Sequence, residues 1–386
     1  MSRFLLALFA CLSIAGCGIF GDDDEPIDPP VELTDFEAAF RVSRVWEQRI
    51  GGGSEFLLLA LSPAADGGRV FAGAYDGRAI AVDAESGKRV WAVDTDAELS
   101  AGPAVGEGLV IFGTTDGQLL ALDALDGSGR WRTTLTGEVL ARPAIGSGMV
   151  IVRTVDGYLR ALDVADGSEF WNIEQQVPRL TLRGNSAPAI VGSAVIAGFD
   201  NGRIASYDLD DGDIRWENVI APPSGRTELE RLADVDASIT VVGQDVYVGS
   251  YNGRVASLAS ESGQVLWSQD VPSYETLGVD WTTLYATNQT GDIVAMSRSS
   301  GAVMWTQEGL HQRQPTPPAP HENSVVVGDF EGYLHWLNAV TGEFEARVRV
   351  GGEAIVGQPV TAGDLVFVQT EAGRLAAYRA RRPAAD

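Results

Sequence analysis

Short runs of alternating apolar and polar residues fill most of this chain, separated by Asp-Gly or Asn-Gly pairs and other glycine-bearing turns. Alternation at period two predicts half-buried β-strands, and Asp-Gly or Asn-Gly supplies the positive φ that a tight hairpin turn needs. The segments AYDGRAIAVDAESGKRVW (74–91), TTDGQLLALDALDGSGRW (114–131) and TVDGYLRALDVADGSEFW (154–171) align at a period of 40. With the first glycine of each copy as marker, eight copies fall at Gly77, Gly117, Gly157, Gly202, Gly253, Gly291, Gly332 and Gly373, at spacings of 40, 40, 45, 51, 38, 41 and 41. A proline often stands fourteen residues before the marker, at Pro103, Pro143, Pro188, Pro318 and Pro359, and opens one more short strand. Four strands in about 40 residues make one propeller blade.

The eighth copy, QTEAGRLAAYRARRPAAD, ends before its last strand, while RVSRVWEQRI near the other end is an orphan of that type. The chain is therefore predicted to be all-β, an eight-bladed β-propeller of four-stranded blades whose ring is closed by the N-terminal strand. Closure leaves no blade in need of a cap. Trp46, Trp91, Trp131, Trp171, Trp216, Trp267 and Trp305 share one repeat position, and Ala346 takes the eighth. A residue that recurs in nearly every blade is structural, a large ring packing on the neighbouring blade. Asp83, Asp123, Asp163 and Asp208 likewise fit turn or inter-blade hydrogen-bond positions.

The N-terminus changes the setting. MSRFLLALFACLSIAGC has one basic residue, then an apolar run from Phe4 to Ile14 and small residues, which reads as an export signal over 1–16. Ile14-Ala15-Gly16-Cys17 resembles a lipobox, which implies cleavage before Cys17 and its lipidation, with Gly18 pointing to the outer membrane. Multiple acyl chains give durable anchoring. The stretch to residue 35 is acidic and proline-rich and reads as a flexible tether, so the domains expected are the tether at 17–35, the propeller at 36–380 and a tail at 381–386. The protein is placed at the outer membrane, lipid-anchored and facing the periplasm.

A formal net charge of -25 argues against nucleic acid, since phosphate contacts need clustered Lys and Arg. Cys11 lies in the signal, so the mature chain has no internal disulfide and depends on core packing. His311, His321 and His335 are the only histidines and none has metal-pair spacing. The acidic run DLDDGD at 208–213 carries its glycine too early for an EF-hand loop and reads as a solvated blade turn. GEG at 106 and GSG at 146 sit in repeat turns, without the strand-to-helix setting of a phosphate loop. No catalytic residue, metal site or cofactor is expected.

AVDAESGKRVW and ALDALDGSGRW resemble the tryptophan-docking repeat of pyrroloquinoline-quinone dehydrogenases, which implies the same eight-bladed propeller. An enzyme of that kind needs a coordinated cation and a general base, and neither is evident here; a periplasmic quinoprotein-like enzyme remains an alternative. A glycan-binding propeller is another, and would need exposed aromatics away from the repeat position, where only Trp281 and Trp336 are tryptophans; Trp336 sits in an alternating strand and is expected in the core. The lipobox with eight repeats and no catalytic set resembles the BamB family, lipoproteins of the outer-membrane β-barrel assembly (BAM) complex.

Link lengths say where function concentrates. From the Trp position to the strand opening the next blade, the chain takes 12 and 12 residues, then 17 (Trp171 to Pro188) and 23 (Trp216 to Ile239), then 10, 13 and 13. The closing link, Trp46 to Pro63, is also 17 residues but contains GGGS, which reads as slack. Such links emerge on the same face as the first hairpin turns, so two consecutive long ones lie side by side around blades three to five. VPRLTLRGNSAP places Leu180 and Leu182 on one side of an extended segment, next to Arg183. TELE at 227–230 offers a capping box for a short helix, followed by Asp234 and Asp236. Apolar anchors beside Arg and Asp suit a protein interface; the alternative is that the leucines fold back and the aspartates only order the loop. The BamB resemblance, carried by LTLRG and RLADVD, implies that Leu180, Leu182, Arg183, Asp234 and Asp236 contribute to docking on a POTRA domain of BamA. Unfolded outer-membrane protein clients, added as strands to blade edges, are a further partner class.

Overall fold

Residues 28–52, 59, 61–181, 186–222, 226–227, 232 and 234–382 are described by the structure, a computed structural model. Their strands form eight antiparallel sheets of four strands each. Blades 1 to 7 span residues 64–94, 99–134, 144–174, 189–219, 240–269, 278–307 and 319–349. Blade 8 joins residues 360–381 to Arg41–Arg49, which pairs with Arg374–Arg381 from Arg41 opposite Arg381 to Arg49 opposite Arg374. The ring is thus closed by the N-terminal strand, as the repeat count requires. First strands touch their neighbours around the centre, including Ala64–Asp66 against Val360–Ala362 across the closure.

The second and third strands of each blade are buried on both faces, which is why they read as apolar runs. The core is correspondingly divided into clusters, each held between two blades. Phe71, Ala79 and Ala81 of blade 1 meet Val110, Phe112, Leu120 and Leu122 of blade 2 around Trp91. At the closure, Leu365, Phe367 and Leu375 of blade 8 meet Val70, Ala72 and Ile80 of blade 1 around Trp46.

The repeated tryptophans fasten each blade to the next. Every indole N–H donates to a carbonyl in the following blade's last turn: Trp46 to Ala84 (2.8 Å), Trp91 to Ala124 (3.1 Å), Trp131 to Val164 (2.9 Å), Trp171 to Leu209 (2.8 Å), Trp216 to Ser260 (2.8 Å), Trp267 to Arg298 (2.9 Å) and Trp305 to Ala339 (3.1 Å). A glycine of that turn lies flat on the ring; a Cβ on Gly212 would fall 2.9 Å from Trp171 Cδ2, and Gly212 has φ of 76°. Two demands therefore select glycine there, the left-handed backbone and the ring beneath it. A bulge in every outer strand precedes the ring and turns it toward the neighbour, as where Trp171 opposes Ala161 but Glu169 opposes Leu162. Blade 7 has Ala346 at this position and fills the space with the fully buried Trp336, its cross-strand partner. Asp83, Asp123, Asp163 and Asp208 accept backbone N–H bonds of 2.8 to 2.9 Å within those turns. The run at 208–213 is such a turn, with Arg215 on Asp208 at 2.6 Å.

Residues 28–35, tether by composition, and Phe36 after them run along the link between blades 6 and 7 and onto the outer strand of blade 7. Val31 N donates to His311 O (3.1 Å), Arg313 Nη1 to Val31 O (3.1 Å) and Arg347 Nη1 to Thr34 O (3.0 Å). Phe36 stacks on Phe344 with ring centroids 5.6 Å apart, the Arg347 guanidinium covers both rings, and Ala39 N donates to Glu345 O (2.8 Å). Backbone groups and two apolar anchors, Leu33 and Phe36, dock a segment whose acidic side chains had argued for solvent. At its start, His311 stands between Asp292 (2.9 Å) and Asp28 (3.0 Å), and Gln312 donates to Asp28 (2.7 Å).

Two outcomes follow for stability. Trp171→Ala removes a ring packed between blades and should cost about 3–5 kcal/mol, while Gly212→Ala should also destabilise; urea midpoints with an unchanged slope would check both. The two carboxylates, Asp292 first, raise the His311 pKa above its ordinary value. The docked segment should therefore be held fully below about pH 6.5 and loosen as pH rises through the raised value. Amide hydrogen exchange at Val31 across pH 6 to 9, corrected for intrinsic rates, should show this, and His311→Gln should abolish the dependence.

Candidate functional site

The two long links meet on the face that carries the turns between the second and third strands of the blades. They are stitched together where they end: Ser186 Oγ donates to Ala237 O (2.9 Å), Ile239 N to Ala187 O (3.1 Å) and Ala187 N to Ser238 Oγ (3.4 Å). Val235 is the anchor of the second link. It is fully buried, its N–H donates to Phe199 O (3.1 Å), and it sits on Gly198, where a Cβ would lie 2.4 Å from Val235 Cγ1. Val139 on Gly113 and Ile355 on Gly328 repeat this packing in other blades. The backbone of Asp234-Val235-Asp236 thus occupies an ordinary repeat position, and the aspartate side chains are what is particular to it.

Asp234 and Asp236 are 1% and 6% accessible. One carboxylate oxygen from each of them and one from Asp200 lie within 4.8 Å of one another. Asp200 belongs to the turn between the second and third strands of blade 4, and Arg153, at the end of Met149–Arg153 in blade 3, forms a buried ion pair with it. The Arg153 guanidinium also lies 5.8 Å from the Phe199 ring centre. Three carboxylates in one dry volume need positive charge beside them, and Arg153 supplies part of it. Among the described residues this is the one carboxylate group close enough for a cation, and Asp200 is already engaged by a guanidinium.

Of the residues expected to bind a partner, Leu180 is 41% accessible, whereas Asp234 and Asp236 lie beneath the surface. Leu182 and Arg183 lie outside the described residues, as do Cys17 and three residues of the expected capping box, Glu228, Leu229 and Glu230. Arg153 and Asp200 escaped the sequence reading. One signal was present: Arg153 stands at a repeat position held by glycine at Gly73, Gly113, Gly198, Gly249 and Gly328.

Residues 43–99, 75–307 and 309–382 match the family described as outer membrane protein assembly factor BamB. The chain belongs to the BamB family. BamB of Pseudomonas aeruginosa is 43% identical over 377 residues, covering 98% of each chain, and BamB of Alkalilimnicola ehrlichii is 47% identical, covering 98% of this chain and 97% of its own. The crystal structure of BamB from Moraxella catarrhalis superimposes with a TM-score of 0.80 at 26% identity, over 88% of this chain and 100% of that one. Quinohemoprotein alcohol dehydrogenase from Comamonas testosteroni shares the fold at a TM-score of 0.71 and 14% identity. BamB proteins are assembly factors, and the chain is not an enzyme.

Removing Arg153 would leave the buried carboxylates short of a counter-charge. Arg153→Leu should lose about 3–5 kcal/mol, read from urea unfolding at pH 7, and adding Asp200→Asn should restore part of the loss. Equal losses in the single and double variants would show that the pair is not coupled.

Proposed function

We propose that this BamB-family chain is a non-catalytic scaffold of the BAM complex, anchored through lipidated Cys17 on the periplasmic side of the outer membrane. It binds the POTRA domains of BamA with the face formed by its two long links, and so supports assembly and insertion of β-barrel proteins. The supporting observation is the joined pair of links, with Leu180 exposed on the first and Asp234 and Asp236 of the second buried beside Asp200 and Arg153. An exposed leucine on a loop tied at its end to a rigid blade loses little entropy on docking, which favours binding. Leu180, Leu182 and Arg183 are assigned the contact. Asp234 and Asp236 act from below by holding the second link, since residues so buried present almost no area to a partner.

Binding of the full chain to the purified periplasmic region of BamA tests this. Leu180→Ala, Leu182→Ala and Arg183→Ala should each weaken the complex roughly tenfold with unchanged melting temperature. Asp236→Asn should weaken binding together with a change in hydrogen exchange at Ala237 and Ile239. Binding untouched by all four changes would move the interface to another face.

A further inference from the structure

The strand that closes the ring starts on the face opposite the long links. Arg374–Arg381 of blade 8 begins just after the turn between that blade's second and third strands, which lies on the link face. Arg41–Arg49 runs antiparallel to it, Arg41 opposite Arg381 and Arg49 opposite Arg374, and so enters at the opposite face and ends at the link face. A chain held only from Arg41 onward would leave the propeller on the opposite face, among the turns between third and fourth strands.

Residues 28–39 carry it back. Ala39 N donates to Glu345 O (2.8 Å), near the opposite-face end of Phe344–Arg349, and Arg347, midway along that strand, donates to Thr34 O (3.0 Å). Val31 then meets His311 and Arg313, and Asp28 meets His311 (3.0 Å) and Gln312 (2.7 Å), all in the link between blades 6 and 7. His311 in turn faces Asp292 (2.9 Å), the last residue of the turn between the second and third strands of blade 6. Leu33 and Phe36 supply apolar anchors along the way, and Arg382 covers Phe40 at 4.3 Å. The segment thus crosses the depth of blade 7 and brings Asp28 to the rim of the link face.

Chain length turns this crossing into an orientation. Ten residues, 18 to 27, separate Cys17 from Asp28. Eleven Cα steps reach at most about 40 Å, and about 20 Å on average for a chain without structure. A six-residue strand such as Phe344–Arg349 is itself close to 20 Å long. Turning the opposite face toward the anchor would therefore use the whole average reach merely to pass the ring.

We infer that the docked segment turns the propeller so that the link face looks toward the lipid surface, with the anchor attached at the rim between blades 6 and 7. Leu180, on the link between blades 3 and 4, then lies on the same membrane-side face, three blades round the ring. This rests on the reading of Cys17 as the lipidated residue. Release of the segment would move the first held residue to Arg41 and lengthen the free stretch to the 23 residues from 18 to 40, so docking decides both the face and the distance.

The mature chain has no cysteine besides Cys17, whose sulfur the lipid blocks, so one added cysteine takes a donor dye alone. The full lipidated chain is placed on vesicles of phosphatidylethanolamine and phosphatidylglycerol with rhodamine on the lipid headgroups, and energy transfer is measured. Thr136→Cys and Leu125→Cys compare the link face with the opposite face on blade 2, and Glu308→Cys and Val340→Cys compare them beside blade 7; all four positions are exposed. Transfer from the link-face donor should be about twice that from its mate in each pair. Leu33→Ser with Phe36→Ser should remove that bias while the chain still floats with the vesicles. A long Gly-Ser insertion before Asp28, which leaves the docked segment untouched, should remove it too. Equal transfer within the pairs, stronger transfer from Leu125 and Val340, or a bias that survives both changes overturns the inference. A chain that does not float with the vesicles overturns the reading of Cys17, and this inference with it.

Discussion

The seat of a tryptophan ring on the next blade's glycine is the constraint on which the molecule depends. One blade cannot bury both faces of its sheet, so stability comes only from a neighbour. The indole supplies a large apolar area and a donor aimed at one carbonyl, which sets the separation and rotation of successive blades together. Repeated around the ring, this interaction leaves little freedom in the angle at which the last blade meets the first. The Arg41–Arg49 strand then completes blade 8 and puts Trp46 on the turn of blade 1.

Rigidity of that kind is what lets the links differ in length. The anchors Val139, Val235 and Ile355 drop into the same glycine-lined seats whether the link before them is short or long. An insertion upstream of Val235 therefore changes the surface without disturbing the ring. Burying Asp234 and Asp236 beside Asp200 and Arg153 is costly in a dry site, and a propeller with this much inter-blade contact can sustain it. The aspartates of the second link lie beneath the surface, while Leu180 of the first is exposed.

Blade 7 departs from the rule and shows its reach. Lacking the ring at Ala346, it draws on Trp336 from within and on the N-terminal segment from outside, with Phe36, Phe344 and Arg347 stacked over its edge. Outer edges in this fold are thus not uniform. Charged side chains stand on most of them, and the chain itself covers one.

Much of this was legible in the chain alone. Eight markers, seven tryptophans at one position and the orphan strand around Trp46 determined blade number, strand order and closure, because each is a local pattern repeated in register. The lengths of the links at 171–188 and 216–239 likewise picked out the face. The tertiary structure alone decided which side chains share a volume: that Arg153 of blade 3 reaches Asp200 of blade 4, that Asp234 and Asp236 turn inward, and that residues 28–36 dock on blade 7 and the link leading into it. These depend on contacts between segments far apart in sequence, where burial and charge compensation outweigh local composition. An acidic, proline-rich stretch reads as solvated until the partners that hold it are known, and those partners come 282 and 283 residues later.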